Sequence, residues 1–242
     1  MSWFFVGVDL GQKQDFTAIA IVERVELRGE WSQMYFAWRK EVALRLRYLE
    51  RVPLETPYTE VVERVVEVTH SRELLGKCRL AVDATGVGAP VVDLLRRAGP
   101  GCTLLPATIT SGDMETLSNG TYRIPKRDLI IGLQVALELG RIQIAGRVPY
   151  AEELRAELAA MEVKVTISGN EQYGAWRAGK HDDLVFALAL AYWNVNKAYP
   201  NPVDGKEQWW TNRYEAEAAA VFHEVVSSLP GVGDGVYLPR RR

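Results

Sequence analysis

The chain has 242 residues, with 29 Lys plus Arg against 31 Asp plus Glu and a formal net charge of −2. Apolar residues at 48% and charged residues at 25% exclude a disordered chain, and the longest apolar stretch, Leu184 to Trp193, is half of the roughly 20 residues a membrane span needs. Near-neutral charge confines any nucleic-acid site to a local patch, and no signal peptide opens the chain, so a cytoplasmic location is expected.

The first forty residues read as three strands. Trp3 to Val8 is short, apolar and rich in β formers, and Asp9 to Asp15 is a polar, Gly-containing turn. Thr17 to Val25 makes a second strand and Met34 to Trp38 a third, ahead of Arg39, Lys40 and Glu41. Short connections between them predict an antiparallel meander. The rhythm then changes. Val61, Val62, Val65, Val66 and Val68 give Tyr58 to Leu75 a helical period, and Leu80 to Asp83 is a short strand. Ala89 to Ala98 is a helix that Gly99 can end, and Thr103 to Ala107 is the next strand. Lys126 to Leu139 is a helix between Pro125 and Gly140, and Tyr150 to Met161 is another. Val163 to Ile167 is a strand, and Asp182 to Lys197 is the most apolar helix. Three antiparallel strands followed by alternating helices and strands predict an α/β domain, a mixed sheet flanked by helices, over residues 1–198. After Pro200 and Pro202 the composition shifts, so residues 199–242 are expected to form a C-terminal appendage. Cys78 and Cys102 are too few for a disulfide framework or a structural zinc site and read as buried thiols.

Acids mark the strand ends. Asp9 ends the first strand and Asp83 the fourth, each beside a Gly-bearing loop, and open α/β sheets place ligands at such ends. Singly, each suits an ordinary turn or capping aspartate. Asp182 and Asp183, opening the apolar helix, are more than capping requires. Acids converging from three elements would repel one another unless cations neutralised them. Magnesium takes oxygen ligands, and two such ions can activate a water and stabilise a leaving oxygen at a phosphodiester.

The wording of five segments resembles the ribonuclease-H-like nuclease domain of phage terminase large subunits. They are Val6 to Asp9 with Asp15 to Ala18, Ala81 to Gly88, Ile124 to Leu129, Leu139 to Ile144, and Ala175 to Leu184. The resemblance covers about residues 3–197 and implies a Mg²⁺- or Mn²⁺-dependent endodeoxyribonuclease using two ions. By analogy Asp9, Asp83 and Asp183 would be the metal ligands, with Asp182 a fourth acid or alternative ligand. Arg123, Lys126, Arg127, Arg177, Lys180 and His181 flank the site and would contact DNA phosphates. The substrate implied is double-stranded DNA, cut from concatemers during packaging in a bacterial host or phage-infected cell. A terminase also carries an ATPase with a GxxxxGK[ST] loop, and no such segment occurs here. The chain is then expected to be an excised domain, an orphan gene product or one half of a split system, and a separate packaging ATPase, a small terminase subunit or a portal are the partners the resemblance implies. Two alternatives share the acidic logic or the fold: a RuvC-type junction-resolving nuclease, and an inert phage or prophage assembly module. Asp9-Leu-Gly11 also resembles the first phosphate loop of sugar kinases and actin-type ATPases, but those need two such halves. Trp209 and Trp210 could stack on bases or dock on the core.

Overall fold

A computed structural model describes residues 3–11, 15–34, 36–86, 88–165, 171–174, 181–199 and 208–210, with 88–89, 162–165, 171–174 and 208–210 as backbone only. The expected appendage therefore lies outside the described residues, apart from Tyr199 and the backbone of 208–210.

The meander forms as β1 (Trp3–Asp9), β2 (Thr17–Ser32) and β3 (Ala37–Val52), consecutive and antiparallel. The third strand corrects the sequence reading, which ended it at Trp38. Arg39, Lys40 and Glu41 lie inside β3 because it pairs with β2 through nearly its whole length, while burial is concentrated further along at residues such as Leu44, Leu46 and Leu49. Helix α1 (Tyr58–Thr69) stops earlier than expected, at His70. Then follow β4 (Cys78–Asp83), α2 (Gly88–Ala98), β5 (Thr103–Thr110), β6 (Thr116–Ser118), β7 (Thr121–Pro125) and α3 (Lys126–Glu138). The chain continues through β8 (Ile142–Ile144), α4 (Ala151–Ala160), β9 (Glu162–Val165), β10 (Glu171–Gly174), α5 (Asp183–Ala198) and β11 (Gln208–Trp210). The main sheet runs β11-β3-β2-β1-β4-β5-β7-β6, with β8 also on β3, while β9 and β10 pair separately.

Strands β1, β4, β5 and β7 are mutually parallel where they adjoin, so their carboxyl ends share one edge. Each face of the sheet has its own core. Val6, Val8, Leu80 and Val82 pack with α1 and α2 on one face; Phe5, Ala18, Ala20, Leu49 and Ala81 pack with α3, α4 and α5 on the other. Helix α5 is buried from Asp183 to Val195, which explains why its apolar residues show no single stripe. It lies directly on β1: a Cβ at Gly7 would come within 2.1 Å of the Ala187 carbonyl oxygen and 2.5 Å of the Ala191 nitrogen. Only glycine allows this approach. Cys78 is buried and Cys102 half-buried, both as free thiols. Among the described residues no helix is long and apolar enough to cross a membrane.

Candidate metal centre

The two-residue period of the strands decides where the acids face. Phe5 and Gly7 point toward α5, so Asp9, two residues on, belongs to the same face. Ala81 packs on that face too, and Asp83 follows it by two. The parallel pairing sets Asp9 directly beside Asp83. The loop after Asp9 is pinned by Thr17, whose Oγ1 donates to the Gly11 carbonyl (3.0 Å) and accepts from the Gly11 amide (3.1 Å). Asp83 is held by Thr85: its amide and hydroxyl both donate to Asp83 Oδ1, at 2.8 and 2.5 Å, and the hydroxyl accepts from the Ile109 amide at 2.8 Å.

The close approach of α5 to β1 brings the start of that helix to the same sheet edge. Asp182 is its N-cap and Asp183 its first residue. The side chain of Asp182 makes no capping hydrogen bond. The helix is capped from another element: the Val185 amide donates to Oε2 of Glu157, on α4, at 3.1 Å. Asp182 lies 3.9 Å from Lys126 Nζ, which also sits 4.4 Å above the Phe186 ring. Asp183 is buried, and both its oxygens are engaged by Arg51 near the end of β3: Nε donates to Oδ2 at 2.7 Å and Nη2 to Oδ1 at 3.2 Å. The same Nη2 donates to Glu157 Oε1. Phe16 stacks under the Arg51 guanidinium at 4.9 Å and meets His181 edge-on at 5.0 Å, with His181 Nδ1 3.9 Å from Asp183 Oδ1.

The electrostatics follow this crowding. Removal from water, then the charges of Asp83, Asp182 and Asp183, push the Asp9 carboxyl well above its ordinary range, and Lys126 pulls it back. Burial raises Asp83 against the pull of Thr85, and raises Asp183 against the pull of Arg51. Burial, then Asp183, pushes Glu157 up to about 7. Buried acids of which one, Asp9, is raised by three neighbouring carboxylates fit a hard divalent cation in kind, since a cation would relieve that repulsion. They are not closed on one point: among the described residues no three His, Cys, Asp or Glu side chains are gathered as an ion would require. The Arg51 fork on Asp183 is the evident competitor.

Of the expected site residues, Asp9, Asp83, Asp182 and Asp183 come together, with Lys126 and His181 beside them. Arg123 is exposed on β7, and Arg127 lies 3.8 Å from Asp113 and 3.6 Å from Asp128. Arg177 and Lys180 lie outside the described residues. Arg51, Glu157 and Thr85 escaped the sequence reading. Arg51 sits among alternating charges that read as surface, and its two-residue spacing from the core residue Leu49 was the available signal.

The mixed sheet with acids at the ends of its first and fourth strands and at a late helix defines a ribonuclease-H-like domain. More particularly, the chain is similar in sequence and fold to the nuclease domain of phage terminase large subunits. It is 24% identical over 221 residues to the terminase large subunit of Thermus phage G20c, a match that covers 91% of this chain and 36% of that protein's length. The large terminase nuclease of thermophilic phage G20c with bound magnesium is 25% identical, covers 79% of this chain and 80% of its own, and superposes with a TM-score of 0.52. The large terminase nuclease domain of Thermus phage P74-26 shares the fold at 22% identity and a TM-score of 0.52, over 79% of this chain and 78% of its own. No protein-family model matches the chain.

Proposed function

We propose that this chain is a terminase-type, metal-dependent endonuclease that cuts double-stranded DNA. The carrying observation is the in-register pairing of Asp9 with Asp83 beneath the start of α5, which crowds four carboxylates at one sheet edge in a chain similar to a nuclease solved with magnesium. Asp9, Asp83 and Asp183 would hold the metal, with Asp182 as a fourth acid. Two Mg²⁺ or Mn²⁺ ions are the expected complement, one to activate the attacking water and one to stabilise the leaving oxygen. A bound ion of this kind supplies a water of lowered pKa and polarises the phosphoryl oxygens.

The chain's own groups do the rest. Thr85 fixes one oxygen of Asp83, so that the carboxylate presents a constant orientation. Lys126 and His181 lie beside the acids and would contact a phosphodiester bound there, and Arg123, Arg127, Arg177 and Lys180 would extend the contact along the backbone. Contacts of that type carry no base information, so cutting is expected with little sequence preference. The biological role that fits is severing concatemeric viral DNA, with a packaging ATPase, small terminase subunit or portal as partners. A plasmid-nicking assay with Mn²⁺ against EDTA tests the reading. Wild type should nick only with metal, and Asp9→Ala should not nick at all. Nicking that persists in EDTA, or in Asp9→Ala, would refute it.

A further inference from the structure

Arg51 is bound up with the acid cluster in a way that neither metal ligation nor DNA contact explains. Its guanidinium is mostly buried, with 15% of the side chain accessible, and it uses its fork on Asp183 and shares one nitrogen with Glu157. It follows the core residue Leu49 by two on β3, so the sheet's alternation turns it inward, and Phe16 covers one face of its plane. Two buried carboxylates side by side require a counter-charge, and Arg51 is positioned to supply it. Glu157 in turn caps the Val185 amide, so the network joins β3, α4 and the first turn of α5.

We propose that Arg51 is the resident counter-cation of the Asp183–Glu157 pair and sets the metal affinity of the cluster by competing for Asp183. This rests on the nuclease reading above and deepens it: the metal-free protein stays folded because a guanidinium holds the third arm of the acid cluster, and an ion must share Asp183 with that guanidinium. Arg51 is thus a positioning residue that acts through Asp183.

The competing effects have opposite signs, which makes the idea testable. Arg51→Gln removes the charge and the fork. Its metal-free melting temperature should fall, while Mn²⁺ affinity, measured by isothermal titration calorimetry without DNA, should tighten at least about tenfold, the figure for deleting one positive charge about 6 Å from a divalent ion even at the dielectric of bulk water. Arg51→Lys keeps the charge and should bind Mn²⁺ within about threefold of wild type, since the Coulomb contribution is unchanged. A purely structural arginine would instead lower stability and weaken metal binding together. Should Arg51→Gln be poorly folded, the same comparison is made between Glu157→Gln and Arg51→Gln/Glu157→Gln, where one of the two buried acids that Arg51 neutralises is gone. The double variant should then bind Mn²⁺ more tightly than Glu157→Gln. Unchanged or weaker Mn²⁺ binding on loss of the Arg51 charge overturns the proposal. Wild-type protein that binds and cuts with Mn²⁺ while Arg51→Gln shows no tightening refutes only this inference; wild type that takes up no Mn²⁺ refutes the nuclease reading itself.

Discussion

Glu157 offers the sharpest test of the electrostatics at the cluster. Burial and the neighbouring Asp183 push its carboxyl up from 4.5 to about 7, so the folded protein binds its proton more tightly than the unfolded chain does. Between those two values the folded state holds more protons, and stability must therefore fall as pH rises. That rise corresponds to about 3 kcal/mol lost between pH 4.5 and 7, at about 1.4 kcal/mol per pH unit. For a domain of this size that is roughly 6–12 °C in melting temperature. Glu157→Gln removes the titration while keeping an oxygen for the Val185 amide. The assay is a pair of chelator-treated thermal melts across pH 4.5–8. The melting temperature of Glu157→Gln minus that of wild type should climb steadily over that window, then flatten. A difference that is constant with pH would refute the assignment of the shift to Glu157. A difference that falls would show that the Arg51 charge outweighs burial.

Further outcomes follow from the same geometry. Asp83→Asn should abolish metal-dependent plasmid cleavage while leaving the metal-free melting temperature equal or higher, because it removes one of the like charges that press on Asp9; full retained cleavage would contradict the site. Because Glu157 rather than Asp182 caps α5, Asp182→Ala should cost less than the roughly 1 kcal/mol of a lost N-cap in a chemical denaturation series, whereas Asp183→Ala should lose Mn²⁺-dependent cleavage. DNA affinity measured by fluorescence anisotropy should fall with salt at a log–log slope near −3 to −4, as expected for about four phosphate contacts, and a flat response would remove the basic residues from the interface. Gly7→Ala should destabilise the protein by about 3 kcal/mol or more, since the new methyl meets helix backbone rather than a movable side chain; a normal melting temperature would refute the packing of α5 on β1.

The parts of the fold legible in the sequence are those with a single strong signal. Val6, Val8, Leu80 and Val82 sit in runs apolar enough to show their strands, and each run ends in an acid, so the amino-acid order alone marks Asp9 and Asp83 as a pair. Strand β3 is hidden because Arg39, Lys40, Glu41, Arg45 and Arg47 interrupt its apolar residues, and only pairing along β2 shows that they belong to one strand. β6 and β8, at three residues each, are too short for any period to register. The capping group of α5 is Glu157, which lies 28 residues before Val185 and reaches it only through the packing of α4 on α5. No local pattern could announce that. Arg51 is obscured for the same reason: its partner Asp183 is 132 residues away.

The contact of α5 with β1 also bears on when the protein can act. The first acid is made at position 9 and the last at position 183, and they meet only when a helix synthesised late settles backbone-to-backbone onto the first strand at Gly7. A ribosome-bound chain that has emerged only through Arg141 already contains Asp9, Asp83 and the central strands, yet it lacks α5 and the Glu157 that caps it. On the proposed reading such a chain would lack one arm of the metal centre and could not cut DNA. Truncated translation products, and chains whose α5 has been peeled away, would on that reading be equally unable to cut the genome around them. The seat of α5 is in this sense a safety catch, released only on completion of the core.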